Sequence, residues 1–298
     1  MVIGLKREIK GIITALVTPF KKDGSLNEGG LRQLVDFQIE HGIHGFFPCG
    51  TMSEGMIMPL EMRKRVIEVV VDQTNGRIPV IAHVGFPDTE STVKLAKFAE
   101  DVGADALGAI GPYFYHPDVM GLVRHFKELK DSVSIPVLVY NNPGRMGYNI
   151  TPSHFGKLVE DAGVDGIKDT SKNIAQLQSL VRLFGERCIV IGASDSLIYV
   201  TFAVGAVGHI SGVSNPFPEL AVRIYELVRK GMYKEALKAQ LELDRVLEVL
   251  KRGPYITPYK EALKLRGVDV GFVRSPLREM TEEEKKFLRD KLEELNLI

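Results

Sequence analysis

Lys168 lies in Val164-Asp165-Gly166-Ile167-Lys168-Asp169-Thr170, an apolar run in which an unpaired ammonium is costly to bury. Side chains alternate along a strand, so Val164, Gly166, Lys168 and Thr170 share one face. If that face is the lumen of a barrel, Gly166 leaves space beneath the lysine stem. Desolvation there lowers the pKa of the amine, as a Schiff-base nucleophile requires. The competing reading is a lysine paired to a carboxylate in the interior. Tyr140 ends a second run, Ile135-Pro136-Val137-Leu138-Val139-Tyr140-Asn141. Adjacent strands are about 4.8 Å apart, which brings its phenol within reach of the amine. Taken alone, a tyrosine ending a strand is packing; beside Lys168 it becomes a proton shuttle for imine chemistry.

Two further segments fit a substrate carrying carboxylates. Gly50-Thr51-Met52-Ser53-Glu54-Gly55 is a glycine-bounded turn whose N–H groups and hydroxyls can hold a small carboxylate. Arg145, in Asn142-Pro143-Gly144-Arg145-Met146-Gly147, is either a bidentate carboxylate clamp or an exposed loop arginine. A metal-dependent barrel lyase or hydrolase would instead draw on His83, His209 and Asp195. Metal chemistry needs three or more convergent ligands, and packing or hydrogen bonding suits these histidines better.

The elements that carry these residues repeat as strand then helix. Apolar runs begin near Gly11, Gly42, Ile78, Ala104, Ile135, Val164, Cys188 and Gly205. Their continuous hydrophobicity predicts parallel strands covered on both faces. Helical patterns lie between them, among them Leu31–Glu40, Pro59–Gln73, Thr89–Asp101 and Ile174–Phe184. Asp88, Thr89 and Glu90 supply a helix start, and Gly42, Gly76 and Gly103 supply left-handed ends. Serial strand–helix units with right-handed crossovers predict a (β/α)8 TIM barrel. An open dinucleotide-binding sheet would carry GxGxxG after its first strand, where this chain reads Thr18-Pro19-Phe20-Lys21-Lys22-Asp23-Gly24. Residues 1–217 are expected to form the barrel. Residues 218–298 are expected to form a C-terminal helical extension packed on it, with segments Pro218–Lys230, Tyr233–Leu250, Pro258–Leu265 and Thr281–Leu295.

Composition narrows the function classes. The 298 residues hold 38 basic and 38 acidic side chains, so no global charge draws the chain to nucleic acid. Cys49 and Cys188 cannot build a disulfide framework and read as small buried or half-buried thiols. Met1–Lys10 is interrupted by Lys6, Arg7, Glu8 and Lys10 and lacks a signal-peptide core. The most apolar stretch, Leu197–Val213, contains His209 and three glycines and falls short of a spanning helix. A cytoplasmic protein with no membrane or nucleic-acid partner is the expectation.

Over nearly its whole length the chain resembles the dihydrodipicolinate synthase and N-acetylneuraminate lyase superfamily of class I, pyruvate-handling aldolases. The resemblance rests on Ala15-Leu16-Val17-Thr18-Pro19-Phe20, Gly50-Thr51-x-x-Glu54, Pro112-Tyr113, Tyr140-Asn141-x-Pro143 and Gly166-Ile167-Lys168, in the family's order and spacing. It implies that Lys168 forms an imine with pyruvate, Tyr140 relays protons, and Thr51 belongs to the relay and the carboxylate site. It also implies that Gly50 and Met52 help hold the pyruvate carboxylate, and that the backbone of Ile210 lines the pocket. Arg145 matches the arginine that synthases use for the carboxylate of the aldehyde substrate. The resemblance further implies a homotetramer built as a dimer of dimers, with no metal or organic cofactor beyond the covalent imine.

Three positions depart from the synthase pattern. Met52 stands where synthases have a second threonine, and Ser53 where they have glycine. Phe114, in Pro112-Tyr113-Phe114-Tyr115, stands where the family tyrosine reaches a neighbouring subunit's site. A phenyl ring cannot transfer a proton, so Tyr113 or Tyr115 would have to replace it. The expected activity is a synthase-like joining of pyruvate to an aldehyde, or cleavage of a 2-oxo-4-hydroxy acid. The alternatives are a 2-keto-3-deoxy sugar acid or N-acetylneuraminate-type aldolase and, from other classes, a metal-dependent lyase or a non-catalytic pyruvate-binding protein.

Overall fold

The computed structural model describes residues 7–298, and the eight apolar runs become eight strands of one parallel sheet. Residues 1–6, the start of the charged amino-terminal stretch, lie outside the described residues. The first half runs β1 (Gly11–Thr14), α1 (Glu28–Glu40), β2 (Gly45–Phe46), α2 (Leu60–Thr74), β3 (Ile81–His83), α3 (Thr89–Asp101), β4 (Ala106–Ile110) and α4 (Val119–Asp131). It continues with β5 (Val137–Asn141), α5 (Pro143–Met146), α6 (Pro152–Ala162), β6 (Gly166–Asp169), α7 (Ile174–Phe184), β7 (Ile189–Ala193), α8 (Ile198–Ala203) and β8 (Gly208–Ser211). The chain ends with α9 (Pro218–Arg229), α10 (Tyr233–Leu250), α11 (Thr257–Leu265) and α12 (Glu282–Glu294).

Strand order is β2-β1-β8-β7-β6-β5-β4-β3. The seam between β2 and β3 closes through a parallel bridge from Phe46 to Val80. There the Phe46 N–H donates to the Pro79 carbonyl at 3.0 Å, and the His83 N–H to the Pro48 carbonyl at 3.1 Å. The sheet is therefore a closed barrel, and all its strands end on one rim. Every strand residue is buried, which is why the runs read as continuously apolar.

Helix ends follow the expected chemistry. The Asp88 carboxylate accepts the Ser91 N–H at the start of α3, and Gly42, Gly76 and Gly103 take φ of 79°, 70° and 97°. One element escaped the sequence reading. Pro143 opens α5 and Gly147, at φ 83°, ends it after a single turn, too short for any periodicity to register.

The last helices grip the barrel. α9 packs on β1 and α8, α10 lies beside α9, and α12 rests on α10 and α11. Lys260, on α11, is fully buried and donates to Glu54 Oε1 at 2.7 Å and to the carbonyls of Thr18 (2.7 Å) and Phe272 (2.6 Å). Glu54 Oε2 accepts the Arg274 N–H at 2.7 Å. One ion pair thus ties the extension to the turn after β2. Both cysteines are buried, and burial pushes the Cys49 thiol up to about 12. Among the described residues no helix is long and apolar enough to cross a membrane.

Candidate active site

Parallel register sets Tyr140 of β5 beside Lys168 of β6. The Lys168 amine lies 3.7 Å from the centroid of the Tyr140 ring and 4.1 Å from that of Phe47. Lys168 is buried and, among the described residues, forms no ion pair. Its environment is two aromatic faces rather than a carboxylate, so the paired-lysine reading finds no partner here. Burial lowers its pKa below the ordinary lysine value, and the nearby Tyr140 and Asp195 only partly offset this. Burial pushes the Tyr140 phenol up. The Lys168 charge and hydrogen bonds with Thr51, Asn142 and Lys168 outweigh that, and its pKa ends below the usual tyrosine value. Both groups thus sit below their ordinary values, each through the other's charge or through burial.

One expectation fails in detail. Gly166 does not leave a void under the lysine stem. A Cβ there would meet the carbonyl of Ile189 and lie 2.8 Å from the Ile189 Cβ, because the register sets Gly166 against Ile189. The glycine is required for β6 and β7 to approach closely.

The phenol of Tyr140 is held from two sides. Asn142 Nδ2 donates to Tyr140 Oη at 2.8 Å, and Thr51 Oγ1 lies 3.3 Å from it. Sequence reasoning missed Asn142, although strand alternation sets it on the same face as Tyr140 and signals it. It also missed Phe47, whose ring forms the floor under the amine. Room for that ring comes from two glycines: a Cβ at Gly50 would lie 2.8 Å from it, and one at Gly108 2.5 Å. Gly50 lines neither of the two chambers on the strand C-terminal rim, and its carbonyl accepts the N–H groups of Ser53 (3.2 Å) and Gly55 (3.1 Å) within the turn.

Two chambers open on the strand C-terminal rim and share Thr51, Tyr140 and Tyr255 as their dividing wall. The first, of about 200 Å³, holds Lys168 with Thr51, Met52, Tyr140, Asn142 and Ile210. The second, of about 270 Å³, holds Arg145, Tyr113 and His83 among apolar side chains including Ile57, Ile110 and Leu277. Lys168, Tyr140, Thr51, Met52 and Ile210 thus converge, while Arg145 reaches the neighbouring chamber. Arg145 is exposed, with its guanidinium 5.0 Å from the centroid of the Tyr255 ring.

The three metal candidates have separate engagements. His83 Nδ1 lies 3.1 Å from the Cys49 carbonyl, and Nε2 accepts the Ile110 N–H at 3.4 Å. Arg63 from α2, fully buried, donates to the carbonyls of His83 (2.8 Å) and Gly85 (3.0 Å). Burial, then the charges of Arg63 and Lys168, hold His83 well below the usual imidazole range, so it is neutral. His209 Nδ1 meets Thr201 Oγ1 at 2.9 Å, and Asp195 accepts from Ser211 Oγ at 2.6 Å. Among the described residues no three such side chains converge. Phe114 takes φ 74° and is 80% exposed, its ring edge-on to that of the equally exposed Tyr115.

A TIM barrel with a lone desolvated lysine on its sixth strand, facing a tyrosine at the end of the fifth, defines a class I aldolase of the Schiff-base type. Sequence and structure comparisons agree. Residues 8–295 match the dihydrodipicolinate synthetase family, and the chain belongs to it. It is 36% identical to a 4-hydroxy-tetrahydrodipicolinate synthase of Methanopyrus kandleri, over 98% of each chain. Among solved structures, it is similar to CdNal from Clostridium difficile in complex with mannosamine, at TM-score 0.93 and 27% identity over 97% of this chain and 99% of that one. It is also similar to YagE, a prophage protein of the dihydrodipicolinic acid synthase family from E. coli K12 in complex with pyruvate, at TM-score 0.92 and 29% identity over 97% and 99%.

Proposed function

We propose that this class I aldolase joins pyruvate to an aldehyde through an imine on Lys168, or runs the same reaction backwards. The observation that carries the reading is the buried Lys168 amine, without a carboxylate partner, over a tyrosine hydrogen-bonded to Thr51 and Asn142. The neutral amine attacks the keto carbon, and loss of water gives an iminium. Tyr140 helps remove a methyl proton, and the resulting enamine carbon adds to the aldehyde carbon, whose oxygen takes up a proton. Water then hydrolyses the imine and frees Lys168. N–H groups around Thr51 and Met52 hold the pyruvate carboxylate, the backbone of Ile210 forms the opposite wall, and Arg145 grips the second substrate from its chamber.

The synthase names of the relatives support a dihydrodipicolinate synthase-like partner. A second reading, a sugar-acid or N-acetylneuraminate-type aldolase, draws support from Phe114 and Met52, which offer no hydroxyl where synthases have one. Tyr113 is half-buried on the Arg145 chamber, whereas Tyr115 points to solvent. Incubation of pyruvate with aspartate semialdehyde, glyceraldehyde, glyoxylate or N-acetylmannosamine separates the two, with product masses read beside a Lys168→Ala control. Turnover with aspartate semialdehyde alone is the synthase result; turnover with a sugar aldehyde or glyoxylate alone rejects it.

For the assembly we propose a homotetramer arranged as a dimer of dimers. The solvent-facing Phe114–Tyr115 pair beside the site supports a second chain there. Light scattering is expected to give four times the 33.1 kDa chain mass, and a mass of one chain overturns it.

A further inference from the structure

Asn142 fills the open position of Tyr140-Asn141-x-Pro143, and its side chain is not used as an asparagine in that place ordinarily is. It stands immediately before α5, where an Asn side chain normally accepts one of the free N–H groups of the first turn. No such cap forms here. The Asn142 carbonyl instead accepts the N–H groups of Arg145 and Met146, both at 2.9 Å, and its own N–H donates to Met146 Sδ at 3.3 Å. With the backbone fixed in this way, the amide is turned into the Lys168 chamber, where Nδ2 donates to Tyr140 Oη at 2.8 Å.

An amide N–H donates at every pH and never accepts. Tyr140 therefore has no outlet for a proton on the Asn142 side. The outlets left are Thr51 Oγ1, at 3.3 Å, and the Lys168 amine. The same bond favours the phenolate over the phenol, because a hydrogen bond to a charged oxygen is the stronger one. The direction of the Tyr140 shift agrees: burial raises it, but the Lys168 charge and the bonds from Thr51 and Asn142 bring it below the usual tyrosine value.

From this arrangement we infer that Asn142 is a positioning residue that makes Tyr140 the base of the enamine step. Its amide holds the phenolate while Tyr140 Oη takes a methyl proton from the iminium on Lys168. The C–H electron pair becomes the C=C bond, and the C=N pair moves to nitrogen. The proton then leaves through Thr51, the one side open to it. Met52 and Phe114 bring no hydroxyl to this relay, whereas the amide comes from the same chain as Lys168 and Tyr140. The inference rests on the imine chemistry proposed above and adds a residue to it.

The test needs pyruvate and no aldehyde. Borohydride reduction of the wild-type protein with pyruvate reads the imine as an adduct mass on Lys168. Exchange of the pyruvate methyl protons for deuterium, followed by NMR across a pH series, reads the enamine step. The rising limb that Tyr140→Phe abolishes belongs to Tyr140. Asn142→Leu is expected to slow exchange below that limb by about tenfold and to move the limb up by about one pH unit, with adduct formation kept. Asn142→Asp, which sets a carboxylate against the phenolate, is expected to move it further. Added to Tyr140→Phe, Asn142→Leu should cost nothing more, since it acts through the phenol. A limb unmoved in both single variants, or an equal loss on top of Tyr140→Phe, overturns the inference while the wild-type adduct upholds the imine reading. Absence of that adduct overturns both.

Discussion

Replacing Lys168 by alanine is expected to lower turnover by about a thousandfold or more, because the covalent path is lost with the nucleophile. The adduct formed by pyruvate and borohydride should vanish with it. Tyr140→Phe separates the roles. It keeps the amine over an aromatic face but removes the hydroxyl that Thr51 and Asn142 hold. Turnover should fall by about a hundredfold, the usual size of one positioned acid–base group. The adduct on Lys168 should still form in that variant. The pH dependence of trapping follows from the direction of the shift. Only the neutral amine attacks, and burial lowers the pKa of Lys168, so trapping by the wild-type protein should persist below the range of an ordinary lysine, near about 10.4. Trapping should decline as the pH falls through that lowered pKa. A trapping rate that declines only through the ordinary lysine range, or an adduct that persists in Lys168→Ala, would reject the assignment.

Much of this site was legible before the fold was described, for a reason particular to barrels. A parallel strand covered on both faces is almost wholly apolar, so a lysine within one stands out against its background. Tyr140 gained meaning only by its place beside that lysine, and the register of β5 on β6 supplies the place. What stayed hidden were features that depend on residues distant in sequence. Phe47 looks like ordinary core until Gly50 and Gly108 are seen to clear space for its ring under the amine. Gly166 reads equally well as a void or as a close strand approach, and only the position of Ile189 decides between them. The division into two chambers, with Arg145 in one and Lys168 in the other, depends on Tyr255 from the segment between α10 and α11. No local pattern announces that. Lys260 is the sharpest case: on an amphipathic helix it reads as a solvated charge, yet its carboxylate partner lies more than two hundred residues earlier.

That pair should carry the largest stability effect outside the site. Glu54 and Lys260 are both buried, and the amine has no donor to spare once Thr18, Phe272 and Glu54 are bound. Lys260→Met keeps the volume of the stem but strands the Glu54 carboxylate without its cation. Removing one partner of such a pair costs about 3–5 kcal/mol, against far less for removing both. For a chain of this size the melting temperature should drop by roughly 10 °C. Glu54→Gln/Lys260→Met should recover part of the loss, since the uncompensated charge is gone. The turn also transmits a functional effect. Glu54 sits at φ 61° and its N–H donates to the Thr51 carbonyl at 3.2 Å, so its side-chain anchor fixes the backbone expected to hold the pyruvate carboxylate. Measured well below the melting point, Lys260→Met should therefore raise the KM for pyruvate more than it lowers kcat. Thr51 would be loosened in place while Lys168 and Tyr140 stay where β5 and β6 put them. An unchanged melting temperature would show that the pair contributes nothing net. A fall in kcat with KM intact would show that the turn positions the proton relay through Thr51 rather than the carboxylate.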